Sequence, residues 1–326
     1  MVKILSITDA NAIKIACEFL EAGIPIAIPT ETVYGLAVDS RNPLAIRRLY
    51  EIKKRPLFNP LICHVADISM ACKYVNFDPV SLRLAKAFWP GPLTLNLPLS
   101  SHNTIHPLAT ANLKTICIRV PCGFSNKLIL AYNYPLTIPS ANLSGRISLT
   151  CAKDIQATFG DNVPLILDGG NSKIGLESTI IKVKLDGQLQ MLRPGGLEAE
   201  KIEDISETKI DRAYLSISDI SKIESPGTLK SHYAPRALVR LEATHVNPGE
   251  ALIRFKNMSI RNIENASLIL DLSVSGNLKE AAANLFAYMK IADDTGVSSI
   301  AFTKIPNHGI GEAINDRLTR AAAPRN

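Results

Sequence analysis

The chain has 326 residues, 46% hydrophobic and 20% charged, an ordinary globular composition whose length makes two domains more natural than one. The net charge of +6 is spread along both halves, which suits an enzyme handling anions but is too weak to argue for nucleic-acid binding. There is no uninterrupted apolar run of about 18 residues and no basic-then-apolar start of a secretory type, so a cytoplasmic protein without a membrane partner is expected.

In chain order, residues 8–22 read as a helix capped by Thr8 or Asp9, with Ile13, Ala16, Cys17 and Leu20 on one stripe and Gly23 as its stop. Ile24–Ile28 reads as a buried strand. Asn42-Pro43 puts a cap and a first-turn proline at the head of a helix running to about Lys53. Pro60–Val65 is the next strand, and Asp78-Pro79 opens a helix that ends before Trp89-Pro90-Gly91-Pro92. Strands are expected at Leu93–Leu97, Thr115–Val120, Leu136–Ile138, Leu165–Leu167, Ser178–Val183 and Leu189–Leu192. This alternation implies an α/β sheet of mixed strand direction over residues 1–205. Residues 206–236 are polar, contain Ser225-Pro226-Gly227 and read as a long linker; an irregular stretch of that length is usually functional. Residues 237–326 return to α/β, with strands at Ala251–Phe255, Ser267–Leu272 and Ser299–Lys304 and amphipathic helices at Asn277–Ile291 and Ile310–Ala323.

Four clusters place polar or basic residues where strands or helices end, and ligands of open α/β sheets bind at strand ends. Pro29-Thr30-Glu31-Thr32-Val33-Tyr34-Gly35 follows a buried strand, although spacing alone favours a simple tight turn. In Lys53-Lys54-Arg55-Pro56, three cations compensate a helix dipole, or Lys53 and Arg55 point together from an extended segment at phosphates. His64, on a strand nearby, is by itself more naturally a satisfied core group than a catalyst. Thr115, Cys117 and Arg119 share one face of a buried strand, where the arginine requires an anion, from the protein or from a ligand. Ser140-Ala141-Asn142-Leu143-Ser144-Gly145 offers small hydrogen-bonding side chains after another strand. The six cysteines form no Cys-x-x-Cys pair and the six histidines show no zinc spacing, so reduced thiols and no metal site are expected. Neither a Walker loop nor a dinucleotide fingerprint occurs.

These clusters together resemble the threonylcarbamoyl-adenylate synthase family, whose catalytic unit is the YrdC-like domain. Besides the clusters above, Asn59-Pro60-Leu61, Trp89-Pro90-Gly91-Pro92-Leu93-Thr94, Arg119-Val120-Pro121, Glu177-Ser178-Thr179 and Arg193-Pro194-Gly195 fall in the family order. Ser225-Pro226-Gly227 through His232-Tyr233-Ala234-Pro235 resembles the linker of the long two-domain form, so the likeness spans essentially the whole chain. Lys54 departs from the glycine often found in the family's Lys-Gly-Arg motif, and Thr228-Leu229-Lys230 is unusual for the linker.

The resemblance implies a YrdC-like mixed parallel and antiparallel sheet (1–205), a linker folding over the active site (206–236), and a smaller Rossmann-like α/β/α domain (237–326). It implies that L-threonine, bicarbonate or carbon dioxide, and ATP give threonylcarbamoyl-adenylate and diphosphate, with Mg2+ carried by ATP. A separate transferase complex then modifies the adenosine beside the anticodon of tRNA. Motif matching assigns Thr32, His64, Arg119, Ser140 and Ser178 to threonine. It assigns Arg55, Asn59, Thr115, Asn142, Thr150, Arg193 and Tyr233 to ATP, with Lys53 at the phosphates and Lys53 and Arg55 as the catalytic cations. A related domain that makes carbamoyl-adenylate in hydrogenase maturation comes with acylphosphatase and zinc-finger segments, which this sequence lacks. An RNA-binding module built on Arg47-Arg48 and Lys53-Lys54-Arg55 is the rival from another class. Its patch has only Tyr50 as an interleaved aromatic, so weak RNA contact is the most it suggests.

Overall fold

The computed structural model describes residues 2–212, 224–227, 229 and 231–324. The first strands and helices are β1 (Lys3–Ser6), α1 (Ala12–Glu21), β2 (Ile26–Ile28), β3 (Gly35–Asp39), α2 (Pro43–Lys53), β4 (Ile62–His64), α3 (Ile68–Ala71), α4 (Pro79–Phe88) and β5 (Leu93–Pro98). There follow α5 (Pro107–Thr110), β6 (Thr115–Arg119), α6 (Phe124–Tyr132), β7 (Leu136–Thr137), α7 (Ala152–Phe159), β8 (Leu165–Asp168), β9 (Thr179–Val183), β10 (Leu189–Arg193), α8 (Ala199–Ser206) and β11 (Ile210–Asp211). These strands join in one mixed sheet in the order β1-β8-β2-β3-β7-β4-β6-β5-β9-β10-β11. Pairs β1–β8 and β4–β6 are parallel, while β2–β3 and β5–β6 are antiparallel.

Two helices start where local chemistry says they should. The Asn42 side chain accepts from the Leu44 and Ala45 amides, and Asp78 accepts from Val80 and Ser81, each ahead of a first-turn proline. Helix α1 begins only at Ala12, after Asn11, with no side-chain cap; Thr8 and Asp9 lie outside it.

Regular structure also enters the stretch read as linker, since α8 runs to Ser206 and β11 pairs in parallel with β10, Leu189 opposite Ile210. Such a two-residue strand is too short for alternation to reveal. Residues 213–223, Thr228 and Lys230 of that stretch, two of them in the unusual linker triplet, lie outside the described residues.

The C-terminal strands β12 (Leu238–Arg240), β13 (Ala251–Phe255), β14 (Leu268–Ser273) and β15 (Ser299–Phe302) form a parallel sheet in the order β12-β15-β13-β14. Helices α9 (Leu278–Asp294) and α10 (Ile310–Ala322) pack with it. The large N-terminal core gathers α1, α2 and the central strands. The second core, built on α9 and α10, also takes in Val33, Ile147, Leu176 and Tyr233, so it crosses from one sheet region to the other. At that crossing Gly175 has φ +75, and a Cβ there would collide with Ala282 O and Ala283 Cα of α9; only glycine lets the loop and helix touch. No helix among the described residues is long and apolar enough to cross a membrane.

Candidate functional site

A chamber of about 50 Å³ opens where β4, β6, β9 and β10 meet the loop after β2. Its wall holds Thr32, His64, Arg119, Ser140 and Ser178, together with Arg55, Arg193 and Tyr233. The register explains the first pairing: β4 and β6 run parallel with His64 opposite Arg119, so both final residues present their side chains side by side. Arg193 ends β10, and Ser178 directly precedes β9.

Each arginine is oriented by main-chain oxygens. Arg55 donates to Asn59 O, Pro60 O and Asn59 Oδ1. Arg193 donates twice to Ser178 O and once to Pro226 O. Arg119 donates to Gly91 O at 3.0 Å and Thr32 Oγ1 at 3.0 Å, and forms an ion pair with Glu31. Of the two anions the strand pattern allowed, the protein supplies one, so the charge of this buried arginine by itself demands no ligand. Glu31 is held in turn by the Cys122 amide.

His64 is 2% exposed and its Nδ1 has no partner. Burial, helped by the Arg119 charge, pushes its pKa well below the usual imidazole value, which leaves it neutral. His232 Nδ1 and the Tyr233 hydroxyl, also in the wall, are buried and unpartnered too. Three orphaned polar atoms in one small chamber are what a polar ligand would satisfy.

A strap, residues 224–227, 229 and 231–234, closes the chamber. Asn96 donates to Glu224 O, Lys182 pairs with the Glu224 carboxylate, and Arg320 donates to Leu229 O. The His232 amide donates to Arg320 O, and the Ala234 amide to Gly145 O. Tyr233, held at φ 60, stacks on Phe286 of α9 with centroids 5.5 Å apart.

The remaining candidates stand behind or away from the wall. Lys53 is not on an extended segment: it ends α2, 1% exposed, and its ammonium donates to Ser140 O and Asn142 O. Burial, with Arg55 adding to it, lowers its pKa well below the lysine norm. Asn59 is buried behind Arg55. Asn142 faces a separate groove at the junction with α9, lined also by Arg146 and Lys290. Thr115 lies at the opposite end of β6 from Arg119, paired with Pro98. Thr150 is buried beside Ser172, whose amide it accepts. Sequence reading gave no role to Glu31, Glu177, His232 or Arg317. Glu177 accepts from Ser148 Oγ and pairs with Arg317 of α10 at 2.8 Å. Cys63 and Cys117 are buried and free, while Cys72 is exposed.

A family model described as telomere recombination matches residues 18–195, and one described as the C-terminal domain of threonylcarbamoyl-AMP synthase matches 197–323. A threonylcarbamoyl-AMP synthase of Pyrococcus abyssi is 35% identical over 96% of this chain and 94% of its own length. The chain belongs to the threonylcarbamoyl-AMP synthase family. A Bacillus subtilis synthase is 33% identical over 98% of this chain and 95% of its own. Pyrococcus abyssi Sua5 complexed with L-threonine superposes with a TM-score of 0.87 at 32% identity, covering 99% of this chain and 97% of that one. As a threonylcarbamoyl-AMP synthase the chain is an enzyme with ATP as a substrate, and its two α/β regions are those of the long, two-domain form.

Proposed function

We propose that the chamber is where this synthase joins L-threonine, bicarbonate or carbon dioxide, and ATP into threonylcarbamoyl-AMP and diphosphate. A transferase complex then passes the product to the adenosine beside the anticodon of tRNA, in the cytoplasm. The observation that carries the reading is convergence: Thr32, His64, Arg119, Ser140 and Ser178, from five separate segments, line one small space beside two further guanidinium groups. Threonine presents a carboxylate, an amine and a hydroxyl, and this wall offers a cation, a neutral imidazole and three hydroxyls.

Arg119 uses three of its five N–H groups on Gly91, Thr32 and Glu31, which leaves donors for the amino-acid carboxylate. Arg55 and Arg193 face the α- to γ-phosphates, with Tyr233 closing over the nucleotide. Asn59 acts by aiming Arg55. Lys53 gives two of its three N–H groups to the Ser140–Asn142 turn, which it braces from behind the wall, and its role at the phosphates rests on the motif resemblance. The roles of Asn142, Thr115 and Thr150 toward ATP rest on the motif resemblance.

The carbamate of threonine attacks the α-phosphorus and diphosphate leaves. No covalent enzyme intermediate is required, so alignment and charge stabilisation supply the rate. Glu177 in the wall and Glu31 beside Arg119 are both engaged by arginines, so Mg2+ would be held by phosphate oxygens and water and would supply charge neutralisation there. The strap residues Pro226, Gly227, His232 and Tyr233 stand in the chamber wall, where they keep water from the mixed anhydride.

The test is diphosphate release by the purified chain. Dependence on both threonine and bicarbonate supports the synthase. Tight, salt-sensitive RNA binding without turnover supports the rival RNA module instead.

A further inference from the structure

Among the described residues Arg317 is the largest fully buried side chain, and it belongs to the C-terminal helix α10, not to the sheet that carries the chamber. Its guanidinium touches three parts of the chamber wall at once. Nε donates to Glu177 Oε2 at 2.8 Å, immediately before Ser178. Nη2 donates to Pro194 O at 2.9 Å, immediately after Arg193. Its central carbon lies 4.9 Å from the centroid of the Tyr233 ring. Nη1 is anchored on Asp316 Oδ2, and Asp316 Oδ1 accepts from Arg320, the residue whose guanidinium holds Leu229 of the strap.

We propose that Arg317 is a positioning residue through which the C-terminal domain completes the nucleotide end of the chamber. It fixes Arg193 by clamping both neighbouring segments, seats the Tyr233 ring, and cancels the charge of Glu177 so that no uncompensated anion faces the phosphates.

The geometry makes the electrostatic part specific. Glu177 is 5% exposed and lines the chamber. Facing it are Arg317 from α10, whose guanidinium also pairs with Asp316, Arg193 from β10, Tyr233 from the strap and the Ser148 hydroxyl. Burial works to raise its pKa, but the charges of Arg317 and Arg193 outweigh that and hold it below the ordinary carboxylate value. Without Arg317 the carboxylate keeps one cation, Arg193, which is then drawn off the phosphates.

This inference rests on the reading of the chamber as the adenylation site, which the native enzyme's own turnover tests separately. The experiment measures KM for ATP, Kd for threonine and the pH profile in R317M, R317K and the double variant E177Q/R317M, each first checked for native circular dichroism and threonine-induced thermal stabilisation. In R317M we expect KM for ATP to rise at least tenfold while the threonine Kd stays within twofold. The double variant should recover at least threefold of that loss, because the unpaired carboxylate is gone. Lowering the pH should likewise recover ATP use in R317M relative to the native enzyme, since the carboxylate has lost the cation that keeps it ionised. A folded R317M with unchanged KM for ATP overturns the proposal. So does an equal loss toward ATP and threonine that E177Q does not relieve, which marks a purely structural arginine. If R317M does not fold, R317K decides: a raised ATP KM relieved by E177Q supports the proposal, and an unchanged KM refutes it.

Discussion

Replacing Lys54 by glycine should stabilise the protein and leave its chemistry intact. Lys54 sits between Lys53 and Arg55, the two cations proposed for catalysis, at φ 50 and ψ 42, the left-handed conformation. Its amide donates to Glu51 O and the Arg55 amide to Tyr50 O, the pair of bonds that ends a helix in a Schellman turn. The bend is what turns Arg55 away from the axis of α2 toward Asn59 and the chamber. A non-glycine residue in that conformation costs about 1–2 kcal/mol. Glycine gives back about 0.5–1 kcal/mol of this through its larger unfolded-state entropy. The net gain for K54G is about 0.5–1 kcal/mol. Because the Lys54 side chain is exposed and makes no charge-paired contact in this turn, no packing term opposes it. For a cooperative unit of about 150–250 residues that gain is roughly 1–4 °C in Tm. The assay is urea unfolding followed by circular dichroism, where the midpoint should rise at constant slope, alongside KM for ATP. Lys54→Val supplies the opposite arm, since a β-branched residue tolerates the left-handed region worst. It should lower the midpoint and raise KM for ATP as Arg55 swings. A K54G midpoint at or below the native value, or a KM for ATP shifted more than twofold, would refute the claim that this residue acts only through its backbone.

Arg119→Met should weaken threonine binding by about 1.5–3 kcal/mol, the value of hydrogen bonds to a charged group, or roughly 10- to 150-fold. It leaves Glu31 unpaired, so E31Q added to R119M should restore part of the lost stability; calorimetric titration with threonine checks the first statement and thermal unfolding the second. In the C-terminal domain, burial works to raise the Glu250 carboxyl, but bonds from Arg240, the Asn247 amide and Ser299 prevail and bring its pKa down to about 2. A depressed carboxylate stabilises above its unfolded pKa and loses that contribution as pH falls through the folded one. The Tm gap between the native chain and E250Q should therefore be full at pH 7, shrink below about pH 4.5 and close near pH 2; a gap that does not vary with pH over that range rejects the assignment.

Three of the helices read from sequence have their start written in a side chain, while α1 and α10, which have no side-chain cap, were read from their apolar stripes. The four-residue α3 and α5, capped by Asp67 and His106, are too short to show a stripe. Asn42, Asp78 and Asn277 cap α2, α4 and α9 with real hydrogen bonds, and all three starts were legible. Helices α6, α7 and α8 begin at Gly123, Cys151 and Glu198 with no side-chain cap, and none was foreseen. Strand β1 escaped because it is an exposed edge paired only to β8, with no buried face to generate alternation. Strand β3 escaped for the opposite reason: all five of its residues are buried, and it starts at the Gly35 that had been read as the end of a turn. At the site, motif order reached the wall residues Thr32, His64, Arg119, Ser140 and Ser178. It did not reach their partners, because Glu31 meets Arg119 across 88 residues and Glu177 meets Arg317 across 140. A carboxylate in a turn motif gives no local sign of which distant arginine it neutralises.

Those partners reveal how a small chamber keeps positive charge available. A guanidinium tied to a carboxylate is fixed but neutralised; one tied to carbonyl oxygens is fixed and still cationic. Arg55 and Arg193 are held chiefly by carbonyls, from Asn59, Pro60, Ser178 and Pro226, whereas Arg119 and Arg317 are held by Glu31 and Glu177. The division fits the proposed places of the two substrates, ATP at Arg55 and Arg193 and threonine at Arg119. A triphosphate needs cations whose charge is unspent, and meets them already oriented, so little reorganisation is required as diphosphate departs. A single amino-acid carboxylate needs direction more than charge, and an arginine shared with Glu31 supplies donors while holding the local field down. On this logic the Arg55 and Arg193 ends of the chamber should discriminate strongly for phosphate charge, and the Arg119 end for the shape and hydrogen-bonding pattern of the amino acid.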